Sequence, residues 1–203
     1  MNTFQAFSIF FHVCDVDYNL TKLRKDHRYA QSVDQKKHGT GTYHDDKNRI
    51  LENYPELKEL LELKFDNFFR TLYGINCKNK ITTSWMVKLE KGEEVHRHNH
   101  KNCQWSGVLY YGKYDNNSCP LMFENPLPNL FTFHHKTEGD CSAYSNIAIP
   151  PKTGQVVFFP AFINHYSQPH NTNLPRQSLA FNLVPTTNMI SGDSNFNYEW
   201  LSS

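Results

Sequence analysis

Residues 84–112 read SWMVKLEKGEEVHRHNHKNCQWSGVLYYG, and this segment gives the clearest indication of the fold. It holds most of an apolar run at residues 81–89, a histidine-rich run at 94–100 and a second apolar run at 105–111. Each run is short and rich in aromatic or β-branched residues, and turn-forming residues such as Gly92 separate them. Such spacing is typical of consecutive β-strands. The stretch therefore predicts a mainly β domain.

Five further strand-like runs follow in the second half of the chain, at residues 121–123, 147–149, 155–160, 165–169 and 177–184. Eight short strands at close spacing, with Gly and Pro between them, are typical of a sandwich or barrel. The double-sheet jelly roll of the cupins, also called the double-stranded β-helix, is one of few eight-stranded solutions. The sequence thus predicts a jelly roll with flanking helices, of the α+β class.

The sequence of the first 80 residues predicts a strand and helices that pack against this core. An aromatic-rich strand is expected within the first dozen residues, and HGTGTYHDD at 38–46 indicates a loop. A helix is expected from Pro55, which suits a first helical position, to a stop at Gly74. We expect one domain over residues 1–203, with a strand and supporting helices at 1–80, the jelly-roll core at 81–185 and a C-terminal tail at 186–203.

Composition narrows the class of protein. Lys and Arg number 21 against 20 Asp and Glu, a net charge of +1 that makes an extended nucleic-acid track unlikely. The five cysteines are widely spaced and form no C-x-x-C pair, so free thiols in a reducing compartment are expected. The apolar run at 7–13 is too short for a membrane span and lacks the basic flank of a signal peptide. These features predict a soluble cytoplasmic protein.

The run EVHRHNH at 94–100 carries His96, His98 and His100 at alternate positions. In a strand, alternate side chains point to the same side, so the three imidazoles would share one face. Imidazole is the commonest metal ligand in proteins. A surface strand with solvated histidines would show the same sequence pattern. If the histidines bind a metal, the pattern alone allows either the pair His96 and His98 or the pair His98 and His100.

Two later residues extend the predicted site. His165 follows the buried-looking strand at 155–160, where it can supply the third ligand of a non-haem iron site. Arg176 and Ser178 lie on an otherwise apolar strand, and a buried Arg needs an anion, since its planar fork matches a carboxylate. A salt bridge to a protein carboxylate would explain Arg176 equally well.

The order of H-x-H, a strand ending in two tyrosines, a distal His and then R-x-S resembles the Fe(II)/2-oxoglutarate-dependent oxygenases. SWMVKLEKGEEVHRHNHKNCQWSGVLYYG, PLMFENP, GQVVFFPAFINHYSQP and RQSLAFNLV look like a subgroup of putative 2-oxoglutarate oxygenases from marine bacteria and their phages. The resemblance covers about residues 50–185. It implies a hydroxylase that uses Fe(II), 2-oxoglutarate and O2 on a substrate that the sequence does not identify.

The same resemblance implies a role for each site residue. The iron ligands would be His98, His100 and His165, with His96 as the alternate to His100. Arg176, Ser178 and Tyr111 would bind the distal carboxylate of 2-oxoglutarate, with Tyr110 facing the opposite side.

The chain departs from most of the superfamily at His100, where an Asp or Glu is usual. Three imidazoles also suit Zn(II) and the three-histidine cupin dioxygenases that use no 2-oxoglutarate. A dioxygenase or zinc enzyme of that kind, or a jelly-roll binding module without activity, is therefore an alternative.

The sequence also offers candidates for the substrate pocket. The polar loop at 125–146, with His134 and His135, is expected to form a lid, and Trp85 and Trp105 are expected to form a wall. An ordinary surface loop and core aromatics would explain these residues as well. The oligomeric state is not indicated.

Overall fold

The computed structural model describes residues 9–25, 41–43, 49–126 and 146–186. This part of the chain forms nine strands, two α-helices and one 3-10 helix, in the following order: β1 (His12–Asp15), α1 (Thr21–Lys25), β2 (Gly41–Tyr43), the 3-10 helix (Ile50–Asn53), α2 (Pro55–Tyr73), β3 (Asn79–Leu89), β4 (Trp105–Tyr110), β5 (Leu121–Glu124), β6 (Asn146–Ile149), β7 (Gln155–Pro160), β8 (His165–Ser167) and β9 (Arg176–Pro185).

The strands form two sheets in which every neighbouring pair is antiparallel. The large sheet has the order β1-β7-β4-β9-β3-β2, and the small sheet has the order β6-β5-β8. Neighbours in space are distant in sequence, as in the predicted double-stranded β-helix, so the jelly-roll prediction is confirmed. Strand β9 lies at the centre of the large sheet, between β4 and β3.

Helix α2 covers the outer face of the large sheet. It begins at Pro55 and ends before Gly74, whose φ of 68° is the left-handed conformation that favours glycine at a helix end. Leu57, Leu61 and Phe65 recur every four residues and are fully buried. Burial of each such side chain stabilises the fold by about 1.5–3 kcal/mol. The predicted helix is therefore confirmed, and its apolar stripe is structural.

Two hydrophobic clusters lie between the layers formed by the helices, the large sheet and the small sheet. The first lies between the helices and the large sheet, and it includes Leu109, Phe158 and Phe181. The second lies between the two sheets, where Val108, Phe159 and Ala180 of the large sheet pack with Leu121 and Phe123 of the small one. Alternate residues of β4, β7 and β9 thus point into different layers. Any side chain of β9 that shares the face of Ala180 points into the space between the sheets.

Two predicted segments differ from the structure. Residues 94–100 form no regular strand, and only one bridge, His98 to His165, pairs them with β8. The predicted loop at 38–46 includes β2, which extends the large sheet beside β3. Both deviations occur where propensity is weak and tertiary pairing decides the conformation. The residues between the histidines in 94–100 are polar, which favours a sheet rim over a strand interior.

Three predictions lie outside the described residues in whole or in part. Most of the predicted lid, residues 127–145 with His134 and His135, is not described. The same holds for residues 1–8 of the predicted N-terminal strand and for residues 187–203 of the predicted tail.

A methyl group at Gly107 is expected to destabilise the fold. Gly107 lies on β4 opposite Phe181 of β9, and a Cβ atom there would overlap the ring of Phe181, which is fully buried. Overpacking of this kind costs about 1–3 kcal/mol. Gly107→Ala should therefore lower the denaturant midpoint of the apoprotein. The double variant Gly107→Ala/Phe181→Leu should lose less free energy of unfolding than the sum of the losses of the two single variants. Additive losses would contradict the overlap between the two side chains.

Candidate active site

Three histidines meet at one end of the small sheet. His98 and His165 are held opposite each other by two backbone hydrogen bonds, of 3.0 and 2.8 Å, between their own amide and carbonyl groups. The amide of His100 donates to the carbonyl of Ala161 at 2.9 Å, in the turn that joins β7 to β8. Backbone pairing therefore fixes the Cα positions of all three residues. Sequence reasoning named these residues, and the structure brings them together.

The imidazole rings converge on a common point. One ring nitrogen from each of the three lies within 4.8 Å of the others, and the Nε2 atoms of His98 and His100 are 3.3 Å apart. His96 is outside this group, although it lines the same cavity. The structure thus assembles the set that includes His100 rather than its alternate, His96.

The second ring nitrogen of each histidine has a hydrogen-bond acceptor. The Nδ1 of His98 lies 2.6 Å from the carbonyl oxygen of His96, and that of His165 lies 3.0 Å from the carbonyl oxygen of Ile163. The Nδ1 of His100 lies 2.5 Å from Oδ1 of Asn182. Since a carbonyl oxygen can only accept, the hydrogen of each neutral ring belongs on Nδ1. Three Nε2 lone pairs then face one another, which is the donor set that a metal cation satisfies.

Burial keeps these rings in the neutral form that binds metal. His165 is only 4% exposed, and burial together with the charge of His98 lowers its pKa to about 3. Burial likewise lowers the pKa of His100 to about 4, against the opposing effect of its hydrogen bond to Asn182, and burial also lowers the pKa of His98. Protons therefore compete weakly with a metal at neutral pH.

A cavity of about 220 Å³ extends from the histidines between the two sheets. Its wall includes Arg176 and Ser178, whose side chains share one face of β9. Arg176 is 2% exposed and donates to the carbonyl of Cys119 at 3.1 Å, to the hydroxyl of Tyr110 at 3.2 Å and to Oγ of Ser178 at 3.5 Å. The structure thus places a buried guanidinium in the same cavity as the three imidazoles.

Within the described part of the chain, the hydrogen-bond partners of Arg176 are all neutral. Among the described residues, no Asp or Glu forms an ion pair with it, and none lines the cavity. A buried cation without a counter-ion is costly, and a guanidinium matches a carboxylate with two parallel hydrogen bonds. The salt bridge that could have explained this residue is thus not found in the described part. The charge instead fits an anionic ligand within the cavity.

The tyrosine beside Arg176 is Tyr110, not the predicted Tyr111. Tyr110 is fully buried in the cluster between the sheets, and its ring centre lies 5.1 Å from the guanidinium carbon of Arg176. Tyr111 is in the cluster beneath the helices. The two residues do face opposite sides, but the phase of β4 is the reverse of the expected one. In the register with β9, it is Tyr110 that pairs with Ser178.

The predicted tryptophan wall is half correct. Trp85 lines the cavity, with its ring centre 5.4 Å from that of His100. Trp105 packs beneath α2, 5.3 Å from the ring of Phe65, and is part of the outer core. Trp105 therefore does not line this cavity, because its side chain lies on the opposite face of the large sheet.

Comparison with known proteins shows which family this chain is similar to. Residues 83–182, from the middle of β3 to Asn182 within β9, match the family model described as a putative 2OG-Fe(II) oxygenase. The matched region contains all three histidines, Arg176, Ser178 and both tyrosines. The chain belongs to the 2OG-Fe(II) oxygenase family. It is accordingly an iron oxygenase that depends on 2-oxoglutarate, and Fe(II) and 2-oxoglutarate are its cofactor and cosubstrate.

Solved structures show the same fold at low sequence identity. HygX from Streptomyces hygroscopicus, solved with nickel, 2-oxoglutarate and hygromycin B, is 12% identical with a TM-score of 0.58, over 89% of this chain and 85% of that one. A prolyl-4-hydroxylase from Pseudomonas putida is 12% identical with a TM-score of 0.53, over 86% and 93%. A 2OG-Fe(II) oxygenase family member from Burkholderia pseudomallei is 13% identical with a TM-score of 0.55, over 81% and 77%. A search of curated proteins found no significant match.

Two residues next to the oxygenase's histidines were not predicted from the sequence. Asn182 and Ser106 contact Nδ1 of His100 at 2.5 and 2.8 Å. Asn182 continues the alternate series that starts with Arg176 and Ser178 on β9, so a strand reading of RQSLAFNLV carried the signal. Ser106 is its cross-strand neighbour on β4, and that pairing could not be read from the sequence.

No described helix is long and apolar enough to cross a membrane.

The apo oxygenase should lose stability as the pH falls. The pKa values of His100 and His165, about 4 and 3, lie below the unfolded value of about 6.5. Between the folded and unfolded pKa values, the unfolded chain binds more protons than the folded protein. The free energy of unfolding is therefore highest above pH 6.5 and decreases as the pH falls below this value. We expect a loss of roughly 2–4 kcal/mol between pH 7 and pH 5 from the two groups.

Chemical denaturation of the metal-free protein at both pH values measures this loss. His165→Gln removes one of the two groups and should make the pH dependence shallower. Equal stability of the wild type at pH 7 and pH 5 would contradict the buried neutral histidines.

Proposed function

We propose that this oxygenase is a hydroxylase in which His98, His100 and His165 hold Fe(II), and Arg176 holds the distal carboxylate of 2-oxoglutarate. One observation carries the proposal. The buried Arg176 lacks a carboxylate partner among the described residues and shares a cavity with three Nε2 atoms that face one another. A dicarboxylate that reaches from a metal to a guanidinium would satisfy both ends of this cavity.

The residues around Arg176 suit the recognition of a carboxylate. Ser178 and Tyr110 offer hydroxyl groups next to the guanidinium, so the anion would meet several donors. The carbonyl of Cys119 holds Nε and fixes the direction of the guanidinium plane. Arg176 would therefore be oriented before the cosubstrate arrives, which reduces the entropy that binding costs.

The chain's own side chains would orient the reaction and exclude water from it. The hydrogen bonds at Nδ1 hold each histidine with Nε2 toward the metal. Val87, Val108, Leu121 and Ala180 give a large part of the cavity an apolar wall, which disfavours water beside the metal. When bound, Fe(II) supplies the oxidation in which a C–H group, 2-oxoglutarate and O2 give an alcohol, succinate and CO2.

The character of the wall favours a substrate that presents an uncharged C–H group. Trp85 and five aliphatic residues line the cavity, and Arg176 is its one charged residue among those described. The described residues offer a cationic group no counter-ion in this cavity, so such a group would favour solvent.

A reducing, cytoplasmic location is also proposed. The described cysteines Cys14, Cys77, Cys103 and Cys119 are free thiols. Disulfides form in oxidising compartments and are rare in the cytosol, so free thiols fit a reducing environment.

Anaerobic reconstitution with Fe(II), followed by addition of 2-oxoglutarate and O2, tests the function. We expect one iron per chain and slow succinate release without any added substrate, with no succinate when Zn(II) replaces Fe(II). An Fe(II)-bound protein that releases no succinate would favour a three-histidine dioxygenase. A protein that binds no metal would favour a binding module.

A further inference from the structure

Asn182 lies at the centre of a polar row that crosses three strands of the large sheet. Its neighbours in register are Ser106 on β4 and Thr83 on β3. Its side chain reaches both: Oδ1 accepts from the hydroxyl of Ser106 at 2.9 Å, and Nδ2 donates to Oγ1 of Thr83 at 2.9 Å. The row is structurally defined, because each member is bonded to the next and each is fixed on a paired strand.

The row ends at the ring of His100. Oδ1 of Asn182 lies 2.5 Å from Nδ1 of His100, and Oγ of Ser106 lies 2.8 Å from the same nitrogen. An amide oxygen has two lone pairs, so Oδ1 can accept from Ser106 and His100 together. With the Nδ2 group engaged by Thr83, the oxygen faces the imidazole and keeps its hydrogen on Nδ1.

We propose that Asn182 is a positioning residue that holds the imidazole of His100 with Nε2 directed at the metal. This inference rests on the proposed function. His98 and His165 receive the same orientation from backbone carbonyl groups, which side-chain substitution leaves in place. His100 receives it from side chains alone. Among the three ligands, it is therefore His100 whose geometry depends on substitutable residues.

The chemistry of position 100 explains why such a residue is needed. Most of the superfamily has a carboxylate there, and either oxygen of a carboxylate can bind a metal without selection of a tautomer. An imidazole has one free lone pair, which must be on the correct nitrogen and aimed within a narrow angle. Partners that hold a metal-binding histidine in this way are typically worth 10–100-fold in metal affinity. Asn182 would thus be the residue that allows a histidine at position 100.

A double-mutant comparison of Fe(II) affinity tests this role. Fe(II) binding to the apoprotein is measured anaerobically by equilibrium dialysis, for the wild type, Asn182→Leu, His100→Asp and the double variant. We expect Asn182→Leu to weaken binding 10–100-fold when His100 is present and by less than about threefold when Asp replaces it. Equal losses in the two backgrounds would overturn the proposal, because they would show a general effect on the cavity.

The conservative variant Asn182→Asp supplies a second test that does not depend on His100→Asp. Its carboxylate still accepts from Nδ1 of His100, so Fe(II) affinity should stay within a few-fold of the wild type. A loss as large as that of Asn182→Leu would overturn the proposal. Failure of the wild type to bind Fe(II) would instead contradict the metal centre itself, so the two failures are distinguishable. Thermal unfolding of each apoprotein confirms that the variants fold.

Discussion

Arg176→Met is expected to remove 2-oxoglutarate binding while leaving the apoprotein at least as stable. Arg176 is 2% exposed and has only neutral partners among the described residues, so an anion in the cavity would supply the counter-ion that these residues do not. Loss of one member of a buried charge pair costs about 2–5 kcal/mol of binding free energy. Replacement of a buried charge by an apolar side chain of similar length is often neutral or stabilising in the unbound protein.

Two measurements separate the two effects. Anaerobic calorimetry with Fe(II)-loaded protein gives the 2-oxoglutarate affinity, and thermal unfolding gives the stability of the apoprotein. Lys152, an exposed cation on the surface, offers a matched control, because Lys152→Met should change neither quantity appreciably. Unaltered 2-oxoglutarate affinity in Arg176→Met would contradict the assignment. A fall of several kcal/mol in apoprotein stability would show that Arg176 is a structural cation instead.

His165→Ala is expected to lower Fe(II) affinity by more than about 100-fold. His165 is the most buried of the three histidines, and its Nε2 faces those of His98 and His100. Removal of a hydrogen-bond partner of a ligand already costs 10–100-fold, and removal of the ligand itself should cost more. Equilibrium dialysis with Fe(II) under anaerobic conditions measures the change.

His96→Ala is the control for this result. His96 lines the same cavity but is outside the group of converging nitrogens, and its contact with His98 uses the backbone carbonyl, which the substitution keeps. Its Fe(II) affinity should stay within a few-fold of the wild type. A loss in His96→Ala equal to that in His165→Ala would place His96 among the ligands.

Most of the fold could be predicted from local patterns. Pro55, Gly74 and the apolar residues between them define α2, and the strand at 155–160 has the predicted bounds. The wrong segments are those whose conformation depends on distant partners. Residues 41–43 become a strand because they pair with the edge of β3, and residues 94–100 are held by β8 through one bridge and the hydrogen bonds of Val95 to Ser167. Such pairings are set by tertiary contacts rather than by propensity.

Part of the candidate site could be predicted, because the spacing of some residue types in the sequence indicates their chemistry. The H-x-H pair, His165 and the R-x-S pair were named from the sequence, and the structure brings them to one cavity. The choice between Tyr110 and Tyr111 depends on the phase of β4, and a shift of one residue reverses every side chain of a strand. The row of Ser106, Asn182 and Thr83 depends on the register of three strands, which the sequence does not specify.

An anaerobic crystal structure of the protein with Fe(II) and 2-oxoglutarate would show the metal ligands and the cosubstrate together. We expect one iron bound by the Nε2 atoms of His98, His100 and His165, and one carboxylate of 2-oxoglutarate on the guanidinium of Arg176 beside Tyr110. Iron bound through His96 in place of His100, or 2-oxoglutarate bound without contact to Arg176, would contradict this expectation.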